Sequence, residues 1–282
     1  MSLLTPTDVR ALAADIGLTP TKRLGQNFVV DANTVRRLVS AADVGPDCDV
    51  LEIGPGLGSL TLGLLEAGAR VTAVEIDPAL AGLLPQTVAQ RLPDQSGNLT
   101  VVCQDALTLA PEDVRPPTRL VANLPYNVAV PVLLHMLASF DSITEGLVMV
   151  QLEVAQRLTA PPGSRVYGVP SAKLAWYAGA QFAGTVAASV FWPAPNVGSG
   201  LVRFTRRPAP QTAATRQQVF AVVDAAFAQR RKMLRGALAT LADAPSLQRA
   251  LEAAGVAPTD RGETIGIEQF AAIAGHLNQP AS

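Results

Sequence analysis

An α/β domain built on a largely parallel sheet, followed by a small all-helical domain, is the architecture that this chain of 282 residues predicts. Three observations carry that reading. Short apolar runs alternate with stretches of helical periodicity as far as the proline-rich stretch Pro208 to Pro210, the pattern of parallel strands joined by crossover helices. One such run, Val50 to Ile53, passes straight into Gly54-Pro55-Gly56-Leu57-Gly58, a glycine-rich strand-to-helix turn. Beyond Pro210 the chain is alanine-rich, has helical spacing and contains no strand-like run.

The elements are expected in this order. Val50 to Ile53 is a buried strand, Leu60 to Ala67 a helix and Arg70 to Glu75 the next strand. Pro78 to Ala89 is a helix interrupted at Pro85, because proline lacks the N–H and crowds the preceding turn. Leu99 to Cys103 is a strand leading to Asp105, and Arg119 to Ala122 one leading to Asn123. Pro131 to Ser139 reads as helix, Gly146 to Leu152 as strand, and Ala175 to Ala187 and Gly200 to Phe204 as a later pair of strands. Pro208 to Pro210 then closes the first domain, giving expected domains of 1–207 and 208–282. Thr215 to Ala228, Arg231 to Leu241 and Ser246 to Ala254 are the helices of the second. Ligands of open α/β sheets sit beyond the carboxyl ends of the strands, so Gly54, Glu75, Asp105 and Asn123 should converge in one crevice.

Composition excludes several classes. No stretch of eighteen or more apolar residues predicts a membrane span, and the first residues lack the pattern of a secretory leader, so a cytoplasmic protein without membrane contact is expected. Cys48 and Cys103 stand apart in apolar surroundings and are expected to be buried structural residues. With only His135 and His276 and no paired cysteines, no metal site is expected. The net charge of −1 hides an uneven distribution. From Arg203 to Arg235 the basic residues Arg203, Arg206, Arg207, Arg216, Arg230, Arg231, Lys232 and Arg235 face the single acid Asp224, so this stretch carries plus seven. Lys22 and Arg23 form a second, smaller cluster. Each cluster alone suits a solvated surface; together with the motifs below they suggest phosphate contacts, by Lys22, Arg23, Arg203, Arg230, Arg231, Lys232 and Arg235.

Two motifs carry the chemistry. Asn123-Leu124-Pro125-Tyr126 sets an amide, a proline-rigidified turn and an aromatic ring side by side, a combination that can hold the exocyclic amine of a flat heterocycle while stacking on its face. The glycine-rich turn can carry a nucleoside-containing cofactor beside that amine. Glu75 can accept both hydroxyls of a ribose, and Asp105 can accept from an adenine amine. The glycines are weak evidence alone, since the dinucleotide fingerprint wants its third glycine at the position of Ser59. A nicotinamide oxidoreductase would use the same glycines and Glu75 but offers no reason for Asn-Leu-Pro-Tyr, and an ordinary tight turn followed by strand-end acids is the plainer alternative.

A longer series of motifs resembles one family. Leu24-Gly25-Gln26-Asn27-Phe28, Glu52-Ile53-Gly54-Pro55-Gly56, Glu75-Ile76-Asp77, Gln104-Asp105-Ala106-Leu107, Asn123-Leu124-Pro125-Tyr126-Asn127, Phe191-Trp192-Pro193-Ala194-Pro195-Asn196-Val197-Gly198-Ser199 and Gln229-Arg230-Arg231-Lys232-Met233-Leu234-Arg235 follow one another as in the ribosomal RNA adenine dimethyltransferase family. The resemblance implies a Rossmann-like S-adenosylmethionine-dependent methyltransferase sheet with a helical RNA-binding domain. The bacterial members it resembles move four methyl groups from S-adenosyl-L-methionine, leaving S-adenosyl-L-homocysteine, onto two adjacent adenosines in a hairpin near the 3′ end of small-subunit (16S) rRNA. The implied partner is that rRNA within an immature 30S particle, bound by a monomer.

Residue by residue, the resemblance puts Gln26, Asn27 and the main chain near Val29 over the cofactor, Gly54 and Gly56 beside its methionine part, Glu75 and Ile76 at the ribose, and Asp105 and Ala106 at the adenine. Asn123 stands between methyl donor and target base, the turn Leu124-Pro125 supplies a main-chain carbonyl, and Tyr126 and Phe191 take the faces of that base. The small residues Ala122 and Ala129 are compatible with room for a methylated amine. Val29 replaces a usual leucine and Gly198 a common acid, and the segment Asp260 to Ile267 matches only loosely. A related enzyme acting on large-subunit rRNA would share these catalytic motifs, and a non-enzymatic assembly factor is a reading of a different class.

Overall fold

The computed structural model describes residues 2–19 and 26–277. Lys22 and Arg23, with Leu24 and Gly25 of the first motif, lie outside the described residues. The chain forms two compact units, one made of the chain up to Ala155 with Gln181–Arg206, the other of Gln156–Ala180 with the chain from Arg207. The second unit thus also gathers residues well before Pro208, because a helix there packs with the later helices.

In the first unit, α1 (Pro6–Asp15) starts at the reciprocal cap Thr5/Asp8, and β1 (Phe28–Val29) precedes α2 (Ala32–Ala41), where the Asp31 carboxylate accepts the Thr34 N–H at 2.7 Å. Strand β2 (Asp49–Ile53) leads through the glycine turn into α3 (Ser59–Glu66), β3 (Arg70–Glu75) into α4 (Pro78–Arg91), and β4 (Leu99–Cys103) towards β5 (Arg119–Asn123). Then come α5 (Ala129–Ser139), β6 (Glu145–Gln151) and α6 (Leu152–Leu158). After α7 (Val169–Tyr177) the chain returns as β7 (Ala178–Val186), β8 (Phe191–Trp192) and β9 (Ser199–Arg206).

Seven strands form one sheet in the order β4-β3-β2-β5-β6-β9-β7, while β1 and β8 pair separately as an antiparallel ribbon. The five strands from β4 to β6 run parallel and β9 is antiparallel to β6. From β2 the chain steps outward to β3 and β4, then crosses back to β5 and β6, which puts the topological switch point between β2 and β5. Helix α3 lies within the core, buried from Ser59 to Leu65, and a Cβ on Gly63 would stand 2.4 Å from Val35, so α2 and α3 touch because that residue has no side chain.

Three expectations need correction here. Helix α4 runs unbroken through Pro85, which sits on the exposed side while Leu80, Ala81, Leu84, Thr87 and Val88 hold the opposite face in the core; water can satisfy the carbonyl left without its N–H. Residues 175–177 are the end of α7, not strand, since Leu174, Trp176 and Tyr177 are buried by helical packing. Cys103 is exposed, because β4 is the sheet's edge strand.

The second unit holds α7, α8 (Arg216–Ala228), α9 (Leu234–Ala237), α10 (Ala244–Ala253) and α11 (Ile267–Leu277). Phe220 stands edge-on to Trp176 and Tyr177, and Phe227 lies between Tyr167 and Phe270. The helix expected over Arg231 to Leu241 shrinks to α9: Met233 is extended, and the Leu234 and Arg235 N–H groups donate to the Asp260 and Pro258 carbonyls instead of continuing a helix backwards. Among the described residues no helix is long and apolar enough to cross a membrane.

Candidate active site

The glycine turn brings backbone close to the carboxyl ends of β2 and β3. Gly54, Gly56 and Gly58 have φ of 67°, 58° and 93°, the left-handed region that side chains resist. A Cβ on Gly56 would lie 2.7 Å from the Phe28 ring, and one on Gly58 would lie 2.7 Å from Leu84 of α4. Beneath the turn two carboxyl groups are buried. Glu52 faces α3, where the Thr61 hydroxyl donates to it at 2.6 Å; burial, opposed by that hydrogen bond and reinforced by Glu75, pushes it up to about 8. Glu75 accepts the Gly56 N–H at 3.1 Å on one oxygen and the Asp77 N–H at 3.0 Å on the other; burial raises its pKa against these bonds. Glu75 still has acceptor capacity for a hydroxyl.

An open cleft lies over these strand ends. Gly54, Glu75, Asp105 and Asn123 all line it, together with Gln26, Asn27, Gly56, Ile76 and Ala106. Asp105 caps a short turn by accepting the Leu107 N–H at 2.9 Å. Ile76 and Leu107 are apolar yet 54% and 40% exposed, and both face the cleft near the two acids. Leu107, the last residue of the Gln104-Asp105-Ala106-Leu107 motif, is a lining residue to which the sequence assigns no role.

At the other side stands the Asn-Leu-Pro-Tyr turn. The Asn123 Nδ2 donates to the Asn27 carbonyl at 3.1 Å, which leaves Oδ1 as the atom available to a substrate donor. Leu124 is fully buried, its N–H bonded to the Met149 carbonyl, and the Pro125 carbonyl accepts from the Val128 N–H to close the turn. Pro125 lines the cleft; Leu124, Tyr126 and Phe191 do not. Tyr126 is half-buried, its hydroxyl 2.7 Å from Ser199 Oγ, and burial raises its pKa while that bond lowers it. Phe191 is 4% exposed in β8, opposite Val29 of β1. Val29 is buried and its carbonyl accepts the Ser59 hydroxyl at 2.6 Å, so it braces the ribbon without lining the cleft. Ala122 and Ala129 are packed away from the cleft, whose wall near Asn123 is made by Asn127, Val128 and Val132.

The basic stretch divides into two kinds of residue. Arg206 donates to the Leu137, Phe140 and Ile143 carbonyls and so caps α5; Arg207 pairs with Glu268, Arg216 lies over the Tyr177 ring, and Arg230 bonds Glu263 and the Arg165 carbonyl. Arg231, Lys232 and Arg235 are exposed and make no ion pair among the described residues, and Arg203 is exposed with Glu145 at 3.8 Å.

A buried carboxylate for a diol, an apolar slot between two acids for a flat ring, and a turn too tight for a Cβ suit S-adenosylmethionine. The sheet order and this cleft are those of a Rossmann-like S-adenosylmethionine-dependent methyltransferase. The chain belongs to the ribosomal RNA adenine dimethylase family, whose sequence profile matches residues 18–279. It is 64% identical over 277 residues to the ribosomal RNA small subunit methyltransferase A of Kineococcus radiotolerans, covering 98% of this chain and 92% of that one, and 61% identical over 275 residues to that of Thermobifida fusca, covering 97% and 96%. Among solved structures it resembles the 23S rRNA methyltransferase ErmE, with a TM-score of 0.66 and 28% identity over 90% of this chain and 100% of that one. A dimethyladenosine transferase from Plasmodium falciparum shares the fold, with a TM-score of 0.70 at 18% identity over 87% of this chain and 95% of that one.

Proposed function

We propose that this enzyme dimethylates N6 of two adjacent adenosines in a hairpin near the 3′ end of small-subunit rRNA, acting in the cytoplasm as a monomer on an immature 30S particle. The names of its relatives support the small subunit as substrate. The observation that carries the chemistry is the Asn123 amide, held by its nitrogen on the Asn27 carbonyl at the edge of the cleft.

The bound cofactor supplies a methyl group already activated by its sulfonium, so the protein's task is positioning. Glu75 accepts the ribose hydroxyls and Asp105 the cofactor's adenine amine, with Ile76 and Ala106 along that ring and Gln26, Asn27, Gly54 and Gly56 around the methionine part. Asn123 Oδ1 accepts one N6 hydrogen of the target. The other goes to a main-chain carbonyl of the Leu124-Pro125 turn. Two acceptors draw the nitrogen towards tetrahedral geometry and aim its lone pair. Tyr126 stacks on the base and offsets an unstacking cost of about a few kcal/mol, whereas Phe191, 4% exposed in β8, offers no free ring face and takes no part in the stacking. Arg203, Arg231, Lys232 and Arg235 contact phosphates, and the helical region 208–282 supplies most of that surface.

Incubation with labelled S-adenosylmethionine and unmodified small subunits should give dimethyladenosine at two neighbouring positions. Asn123→Ala should lower the rate about 100-fold or more while calorimetry shows cofactor affinity nearly unchanged. Label in large-subunit rRNA would move the assignment to the other substrate, and wild-type turnover by Asn123→Ala would remove the amide from the mechanism.

A further inference from the structure

Ser199 lies at the start of β9, 0% exposed, and 73 positions from Tyr126 in sequence. Its place is fixed by the sheet: Ser199 pairs with Gln151 of β6, and the Gly198 carbonyl beside it accepts the Leu152 N–H at 2.9 Å. What the backbone leaves over is one hydroxyl in a buried setting, and that hydroxyl meets the phenol of Tyr126 at 2.7 Å. Tyr126 follows a proline and sits in a turn whose Asn127 lines the cleft. A ring on such a turn has two free torsions, and a bond at its far end fixes both.

We infer that Ser199 is a positioning residue for methyl transfer: through the Tyr126 hydroxyl it locks the ring of the Asn-Leu-Pro-Tyr turn in the plane that receives the target adenine. The inference rests on the proposed stacking role of Tyr126. It explains why a serine follows Gly198 in this motif although its side chain does not line the cleft. A flat stacking surface serves catalysis only if its plane is set before the base arrives, because a ring that has to be ordered during binding costs entropy at the step to be accelerated.

The test is a cycle of Ser199→Ala, Tyr126→Phe and the double variant, assayed on unmodified small subunits with kcat and KM measured separately for cofactor and RNA. Each single variant should lower kcat about three- to tenfold, the worth of one neutral hydrogen bond, with the KM for S-adenosylmethionine unchanged within about twofold. The double variant should be no slower than the slower single, since both substitutions remove the same bond. Multiplying losses would mean independent roles and overturn the inference, as would a wild-type kcat in Ser199→Ala. Should Ser199→Ala melt more than about 4 °C below wild type, Tyr126→Phe reads the same bond from its half-buried end. Tyr126→Ala separates the two levels: an inactive Tyr126→Ala beside a fully active Ser199→Ala leaves stacking intact and removes only Ser199, whereas a fully active Tyr126→Ala removes both.

Discussion

At the residue scale the site is built from polar groups whose partners are already assigned. Glu75 accepts backbone N–H groups, Asn123 spends its amide nitrogen on a carbonyl, and each keeps acceptor capacity at the cleft. Glu52 differs, because it faces the core, where burial raises its pKa. Its value rises from 4.5 unfolded to about 8 folded, so folding takes up a proton between those limits. The stability it contributes is complete below pH 4.5 and is lost as pH climbs towards 8 and beyond. Glu52→Gln keeps an acceptor for Thr61 but cannot ionise, so its melting temperature should gain on wild type steadily from pH 5 to pH 9. A difference independent of pH would show that Glu52 titrates alike in both states. The polar strand ends were legible in the sequence because residue type and position coincide there. Ser199 and the Asn27 carbonyl were not, since their contacts cross 73 and 96 positions and neither residue advertises its partner.

At the element scale the informative unit is the turn from β2 into α3. Three glycines with positive φ let backbone approach Glu75 on one side and Phe28 on the other. Gly56→Ala introduces left-handed strain of about 1–3 kcal/mol and a methyl 2.7 Å from a ring in the cleft wall, so either Phe28 or the turn must shift. Calorimetry with S-adenosylhomocysteine should show affinity reduced about tenfold or more. Unchanged affinity would mean that the turn absorbs the methyl without disturbing the cofactor's place. Strands β2, β3, β5 and β6 were readable because burial makes compact apolar runs, and the edge strand β4 because its sequence keeps such a run although none of its residues is buried. The ribbon β1/β8 was not, as two-residue strands carry no periodicity, and α4 overrode its proline because a buried face outweighs one lost N–H. Likewise α9 is short because two of its first N–H groups are satisfied by the segment at Pro258 and Asp260, a tertiary competition no local pattern reveals.

At the scale of the whole molecule, charge is what sequence counting overstates. Of the eight cations in residues 203–235 four are engaged within the fold: Arg206 caps a helix, Arg207 and Arg230 pair with glutamates, and Arg216 rests on a tyrosine. Arg231, Lys232 and Arg235 remain exposed without an acidic partner among the described residues, and they follow α8 within a few positions of one another. A phosphate neutralised by a protein cation releases about 0.7–0.9 counterion, so three contacts account for a slope of about 2–3 in log affinity against log salt. Replacing Arg231, Lys232 and Arg235 together by glutamine should therefore flatten the measured slope by about that amount and weaken RNA binding most at low salt. Arg230→Gln should act differently, lowering melting temperature through the lost Glu263 and Arg165 bonds while leaving the slope nearly as it was. Filter binding to unmodified small-subunit rRNA between 50 and 300 mM salt, a range of roughly sixfold, resolves a change of that size. An unaltered slope in the triple variant would return these three residues to plain solvated surface and shift the phosphate contacts elsewhere on the chain.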